Sequence, residues 1–511
     1  MSKDKLKIEI LKSQPFVLYG VGLCGTSIYQ MLEKEQIRPV AFCDRKRTGI
    51  EPMSCLPIIA PPKLKNEYSE VKILITSLDF AAEILHDLKT MGIDEERIHA
   101  MSDFVVIGKP SITVDSSFSA TKMKLLFFLN FFPVGGQERV VANLTEAFMN
   151  KGYETILVSS LYSYNECEAI CSKRIFLNVW PNDLGSLEKT LAEVIMNEQP
   201  DVLIGFGAGN AATLANARRL IPGSNTPLIF SQRSDPTSMF LSDPRHEEYY
   251  RMVIPEADGA VFQSKEAQSY FPLDLQKKST IINNLVNKRF FSATFSGETP
   301  SGETPSGESP SGESPSSERK NIVGVGRLSS EKNWELAISA FSLIANKIND
   351  DFVIYGEGPE LENLKNHAEE LNISDRMVFA GLTRQPEKDI VNAKLFVLPS
   401  NYEGLPNALI EALVLGLPCV CTQFDGGGAE RLITDGENGL LVPKGDVDAL
   451  AGAMLKILSD PKYAQTLAAS AKERARKEFD RELVLGRWEG FINKVVEHKQ
   501  DFGSRKSEVT I

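Results

Sequence analysis

The chain has 511 residues, 42% of them hydrophobic and 24% charged, with a formal net charge of −12. That length exceeds what one hydrophobic core supports, so two or three domains are expected. The acidic balance argues against a general nucleic-acid binder, which needs an excess of Lys and Arg to neutralise phosphates.

The opening MSKDKLKIEILK has no apolar signal core. No run of about 18 apolar residues, the length a membrane span needs, occurs anywhere. A cytoplasmic protein is expected, with peripheral contact at the inner face of a membrane left open. None of the seven cysteines forms a CxxC pair or a zinc-ligand spacing, which fits reduced structural thiols.

The first α/β block runs from about Ile8 to Phe104. Pro15 to Gly20, Pro39 to Cys43 and Val71 to Ser77 read as strands, with a helix over Thr26 to Glu35. Gly20, Gly22 and Gly25 form a GxGxxG between the first strand and that helix, and Asp44 ends the next strand about twenty residues on, as the dinucleotide fingerprint requires. The glycines would admit a pyrophosphate and Asp44 would accept a ribose hydroxyl. NAD or another nucleotide is a possible ligand; a docking module, or glycines that only pack strand on helix, are the alternatives.

The second block opens at Met123 with a strongly apolar strand. Gly135 and Gly136 follow, then a helix from about Glu138 to Met149 with Val140, Val141, Leu144 and Phe148 on one face. Thr155 to Ser159, Asp201 to Phe206, Leu228 to Ser231 and Gly259 to Gln263 read as later strands. From Ser296 comes the repeat SGETP, SGETP, SGESP, SGESP. It has no apolar residue beyond proline and cannot bury a core, so a disordered linker is expected.

The third block starts at Asn321. Phe352 to Tyr355, Val378 to Ala380, Leu395 to Pro399 and Pro418 to Thr422 read as its further strands, and Leu336 to Asn346 and Ala408 to Leu415 as helices. Arg327 and Lys332 follow its first strand, at the carboxyl end where ligands sit in open α/β sheets. Such cations suit a diphosphate leaving group. In NYEGLPNALIEAL, Glu403 lies on a loop and Glu411 about one turn inside a helix. Loop N–H groups and a helix N-terminus form a place for phosphate. A carboxylate one turn in can accept two hydrogen bonds from a vicinal diol such as ribose. No metal cluster is seen; Asp446 and Asp448 open a helix, where Asp446 reads as an N-cap.

These motifs together (FPVGGQER, VGVGRLSSEKNWELAISAF, FVIYGEGPELENLK, RMVFAG, LFVLPSNYEGLPNALIEAL and DGENGLLVPKGD) resemble the retaining GT4 family of GT-B glycosyltransferases over about Met123 to Lys494. The resemblance implies an α/β protein with two facing Rossmann-like domains, preceded here by an additional small Rossmann-like domain. The expected layout is 1–118 for that extra domain, 122–291 for the acceptor-side lobe, 292–319 for the linker and 320–478 for the donor-binding lobe. A helix over 479–497 would cross back to the acceptor-side lobe, with a tail at 498–511.

The resemblance further implies that Arg327 and Lys332 clamp the diphosphate, that Glu411 binds the donor ribose and that Glu403 faces the donor sugar. Gly404, Leu405, Asn407, Ala408 and Leu409 would offer backbone to phosphates and sugar. The backbone around Phe379 would read the base, most often uracil. Gly135 and Gly136 would touch phosphate or sugar. SQRSDP resembles a segment of members that build polysaccharides or lipid-linked oligosaccharides, so Arg233 is a candidate donor or acceptor contact, or else a surface ion pair.

The implied activity is transfer, with retention and without a metal or other cofactor, from a nucleotide sugar (a UDP-sugar) to a glycan or lipid-linked acceptor. A UDP-sugar epimerase of the same fold and a nucleotide-sensing docking protein are the alternative readings.

Overall fold

The computed structural model describes residues 14–20, 29, 32–33, 36–45, 48–51, 54–76, 81–100, 112–113, 122–130, 135–160, 169–177, 179, 184–242, 245–295, 319–425 and 427–508. The repeat linker, Gly22, Gly25 and most of the helix expected over Thr26 to Glu35 lie outside the described residues. The chain divides into two compact units. The first holds 1–203 and 213–226; the second holds 204–212 and 227–511. The boundary thus passes through one strand, and 227–291, expected with the second block, falls in the unit that holds the third.

In the first unit, β1 (Phe16–Tyr19), β2 (Ala41–Cys43), β3 (Gly49–Ile50), β4 (Pro57–Ile59), β5 (Lys72–Ile75) and β6 (Ile98–Ala100) form one sheet. Its order is β3-β4-β2-β1-β5-β6, parallel except for the β3 edge. This is the doubly wound order, with its switch point between β1 and β5. Val17, Tyr19, Ile73 and Ile75 pack with Ile84 and Leu88 of helix Ala81–Thr90 in one core.

The same unit holds β7 (Ile112–Thr113), β8 (Lys124–Leu129), β9 (Glu154–Ser159) and β10 (Lys173–Phe176). Here β8, β9 and β10 run parallel, and β7 lies antiparallel on β10. Helix Gly136–Asn150 buries the apolar stripe read from the sequence, and Val140, Val141, Leu144 and Phe148 are all buried.

The second unit begins with the end of β11 (Val202–Phe206), followed in order by β12 (Leu228–Ser231), β13 (Gly259–Phe262) and β14 (Ser279–Ile281). Its last sheet comprises β15 (Ile322–Val325), β16 (Phe352–Tyr355), β17 (Met377–Gly381), β18 (Leu395–Leu398), β19 (Cys419–Thr422) and β20 (Leu440–Val442). The order is β17-β16-β15-β18-β19-β20, parallel throughout. The switch point therefore falls between β15 and β18, the two strands whose following loops carry Arg327, Lys332 and Glu403.

Helix boundaries differ from the sequence reading in one informative place. The helix expected over Leu336 to Asn346 runs Trp334–Ser342, and a separate 3-10 turn covers Ala345–Lys347. Asn333 at its N-cap takes a left-handed φ of 50°, a conformation that Asn tolerates better than most residues. The final helix, Arg481–Glu508, is longer than expected. Its buried Trp488 stacks on Phe206 with centroids 6.1 Å apart. A Cβ at Gly259 would lie 2.7 Å from Val495 and 2.9 Å from Phe491, so only glycine admits the helix this close.

Candidate active site

The site is built at the carboxyl ends of β15 and β18. The loop after β15 is held against its neighbours by glycines. Gly356 has a φ of +156°, and a Cβ there would lie 1.9 Å from the Gly326 carbonyl oxygen. A Cβ at Gly358 would lie 2.2 Å from the Leu328 carbonyl oxygen. Both contacts are with backbone, which cannot swing aside, so the GEGP segment after β16 requires glycine at both positions.

Trp334 fixes the same loop from inside. Its indole covers Gly324, where a Cβ would come within 2.4 Å of the ring. Its Nε1 donates to the Arg327 carbonyl at 2.9 Å. The Arg327 side chain is left exposed above the sheet.

The loops after β15 and β18 are stitched together by amides. Asn401 N–H donates to the Glu331 carbonyl at 2.8 Å, Asn401 Nδ2 to the Ser330 carbonyl at 3.1 Å, and Asn333 Nδ2 to Asn401 Oδ1 at 3.1 Å. The result brings Lys332 and Glu403 into an ion pair, with side chains 20% and 13% exposed. Ser400 Oγ donates to the same Glu403 oxygen at 2.9 Å. Three of the expected residues, Arg327, Lys332 and Glu403, thus gather at the switch point.

Beyond Glu403 the chain passes Gly404 into helix Asn407–Leu415, whose N-cap is Pro406. Proline suits a helix start because the first turn has no intrahelical partner for its missing N–H. Glu411 sits one turn in and is 4% exposed. Leu405 and Leu409 are buried and Ala408 partly so, which leaves this segment's backbone as the surface it can offer. Phe379 lies half-buried on β17, beside an irregularity in its pairing with β16. There the Gly356 N–H donates to the Gly381 carbonyl at 2.8 Å.

Arg233 is not in a surface ion pair. It is buried, with its guanidinium 5.0 Å from the Phe206 ring centroid and 5.4 Å from that of Trp488. Its Nη1 donates to Asn284 Oδ1 at 3.0 Å. Burial alone drives its pKa down from the usual guanidinium value to about 9.

Gly135 and Gly136 belong to the first unit. Gly135 caps helix Gly136–Asn150 with ordinary extended angles (φ −153°, ψ 174°), so its backbone conformation does not by itself demand glycine. Gly20 and Asp44 stand at the carboxyl ends of β1 and β2. Gly20 takes a φ of +122°, and its N–H donates to the Cys43 carbonyl at 2.8 Å. Thr76 Oγ1, just past β5, donates to the Tyr19 and Gly20 carbonyls at 2.9 and 3.2 Å. The fingerprint's first glycine therefore sits at the switch point of its own sheet.

Asp446 caps helix Val447–Ser459, accepting from the Ala449 N–H at 2.8 Å. No group of three or more His, Cys, Asp or Glu with metal-binding geometry occurs among the described residues. Among the described residues, no helix is long and apolar enough to cross a membrane.

Two family models match the chain. One described as "Glycosyltransferase Family 4" covers residues 134–289 and one described as "Glycosyl transferases group 1" covers 308–476, together more than half of its length. Among curated relatives, the poly(glycerol-phosphate) alpha-glucosyltransferase of Bacillus subtilis is 30% identical over 181 residues. That alignment spans 35% of this chain and 27% of the relative. The N-acetyl-alpha-D-glucosaminyl L-malate synthase of Bacillus anthracis is 23% identical over 380 residues, 72% of this chain and 96% of the relative.

Solved structures give the fold. Sucrose-phosphate synthase from Thermosynechococcus elongatus superposes with a TM-score of 0.60 at 18% identity, covering 74% of this chain and all of that one. Alr3699/HepE of Anabaena, solved in complex with UDP and glucose, gives 0.59 at 17% identity, covering 73% of this chain and all of that one. The chain belongs to the GT4-type glycosyltransferases and has the GT-B fold, with an additional Rossmann-like sheet at its N-terminus. Both family descriptions name glycosyl transfer.

Proposed function

We propose that the chain transfers a sugar, with retention, from a UDP-sugar to a growing glycan or a lipid-linked acceptor. The observation that carries this reading is the assembly of Arg327, Lys332 and Glu403 at the β15–β18 switch point, with the buried Glu411 one turn inside the helix that follows. Breaking the anomeric C–O bond leaves negative charge on the departing diphosphate. Arg327 and Lys332 offset that charge without a metal, and the N-terminus of helix Asn407–Leu415 adds its partial positive charge. Glu411 accepts from the ribose diol. Glu403 faces the transferred sugar and pairs with Lys332. The UDP and glucose in the Anabaena structure support the choice of nucleotide.

Calorimetric titration of UDP with EDTA present tests the donor site. Micromolar-range binding by the wild type, lost in Glu411→Ala and Arg327→Ala, is the expected result. Absence of binding to the wild type excludes UDP as the donor nucleotide. The acceptor class rests on the SQRSDP segment. Efficient transfer to small soluble sugars with none to lipid-linked ones would count against it.

For the N-terminal sheet we propose nucleotide binding over Gly20 and Asp44. Isothermal titration of NAD and of UDP-sugars into full-length Asp44→Ala checks it: a second binding event present in the wild type is lost in the variant.

A further inference from the structure

Asn284 follows β14, is 3% exposed, and uses both ends of its side-chain amide. Its Oδ1 accepts from Arg233 Nη1 at 3.0 Å and from Gln263 Nε2 at 2.7 Å. Its Nδ2 donates to the Leu405 carbonyl at 3.1 Å and to Asn407 Oδ1 at 2.6 Å. A guanidinium can only donate, so Arg233 leaves one orientation open to the amide: oxygen toward the cation, NH2 toward the loop.

Arg233 is itself held, lying over the rings of Phe206 and Trp488. Constraint therefore runs from that aromatic pair through Arg233 and Asn284 to Leu405 and Asn407. A backbone contact runs beside it, since a Cβ at Gly404 would lie 2.6 Å from the Arg233 carbonyl oxygen. The preceding Asn283 engages a different place: its Nδ2 donates to the Glu478 carbonyl at 3.3 Å and its Oδ1 accepts from Arg431.

We propose that Asn284 is a positioning residue for the donor loop: oriented by Arg233, its NH2 holds Leu405 and Asn407 in the geometry that receives the donor's diphosphate and sugar. This rests on the donor reading given above. Asn284 touches no reacting atom itself; it acts through the backbone of Leu405 and the first residue of helix Asn407–Leu415.

The variant Asn284→Asp separates this role from a general packing role. Its carboxylate still accepts from Arg233 and Gln263 and supplies the buried cation with a counter-charge, so folding is retained. It has no hydrogen to give the Leu405 carbonyl or Asn407 Oδ1, and now opposes them with like charge. Without any ligand, amide hydrogen exchange over residues 404–410 is expected to rise about tenfold or more in Asn284→Asp and Asn284→Ala, with exchange over 123–150 unchanged. The dissociation constant for UDP is expected to rise by a similar factor in both.

Unchanged exchange over 404–410 in Asn284→Asp overturns the proposal. So does raised exchange with UDP affinity equal to that of the wild type, because the loop would then be held for some other purpose. If wild-type protein binds neither UDP, GDP nor ADP, the donor reading fails and this role falls with it. The ligand-free exchange result still shows whether the amide holds the loop, so the two failures are distinguishable.

Discussion

Lys332 and Glu403, 71 positions apart in sequence, meet as an ion pair above the gap between β15 and β18. The pair sets opposite charges against each other at the proposed donor site and gives its two members separable roles. Replacing Lys332 with Ala removes one charge-assisted contact to the diphosphate, worth about 1.5–3 kcal/mol. UDP affinity should fall by roughly 10- to 150-fold in titration. Glu403→Gln keeps an acceptor for Ser400 and releases Lys332. UDP affinity should stay within about threefold while transfer drops by about 100-fold, the scale of losing one transition-state contact. Equal losses of binding and turnover in Glu403→Gln would reduce Glu403 to a support for Lys332.

Glu411 offers a test by ligand rather than by protein. If its carboxylate accepts from the ribose, 2′-deoxy-UDP should bind wild type several-fold more weakly than UDP. In Glu411→Gln the two nucleotides should bind more nearly alike. A discrimination unchanged by the substitution would move the ribose elsewhere.

Gly356→Ala places a Cβ against the backbone at Gly326, with a φ that L-residues avoid. Overpacking and backbone strain of this type cost about 1–3 kcal/mol each. The denaturant midpoint should fall accordingly, and UDP binding should weaken because Gly326 leads directly into Arg327. Ala at Gly452, where a Cβ meets nothing within 4 Å, should leave the midpoint unchanged or raise it.

Arg233 is a buried cation whose guanidinium meets no carboxylate among the described residues. Burial holds its folded-state pKa at about 9, well below the ordinary guanidinium value. The unfolded chain therefore holds the extra proton between those values, and stability should rise with pH across that window from this group. Below about pH 9 the full penalty of the buried charge is present. The stack on two rings returns about 2 kcal/mol when desolvated, against a burial penalty of several kcal/mol. Arg233→Met should thus unfold at a temperature equal to or above that of the wild type near neutral pH, while losing UDP affinity as Asn284 loses its orientation. A large fall in melting temperature would show that the cation is a net stabiliser.

Much of the fold is legible from periodicity. The apolar stripe of helix Gly136–Asn150 and the runs at β8, β15 and β18 identify themselves by pattern alone. Short edge strands such as β3, β14 and β20 do not, because two or three residues carry no period. Within the site, Arg327, Lys332, Glu403 and Glu411 are legible because their residue types stand at strand and helix ends.

Trp334 and Asn284 are not legible in the same way. A tryptophan opening a helix reads as core, and only its contact with Gly324 and the Arg327 carbonyl shows a second task. Asn283 and Asn284 form an amide pair just beyond β14, but the groups that accept from their side-chain NH2 lie some 120 to 200 residues onward in the chain. No local spacing encodes that. For Arg233, the sequence left a substrate contact or a surface ion pair as alternatives, since the burial that excludes the second depends on Trp488.

The stack of Trp488 on Phe206 bears on how the protein is made. Phe206 leaves the ribosome roughly 280 residues before its partner, which at 5–20 residues per second is about 14 to 56 seconds. Through that interval the second unit lacks the helix that covers Gly259 and closes over Arg233. The strands from β11 to β14 wait with an apolar face uncovered, and nascent chains at this stage are the ones a holding chaperone should find.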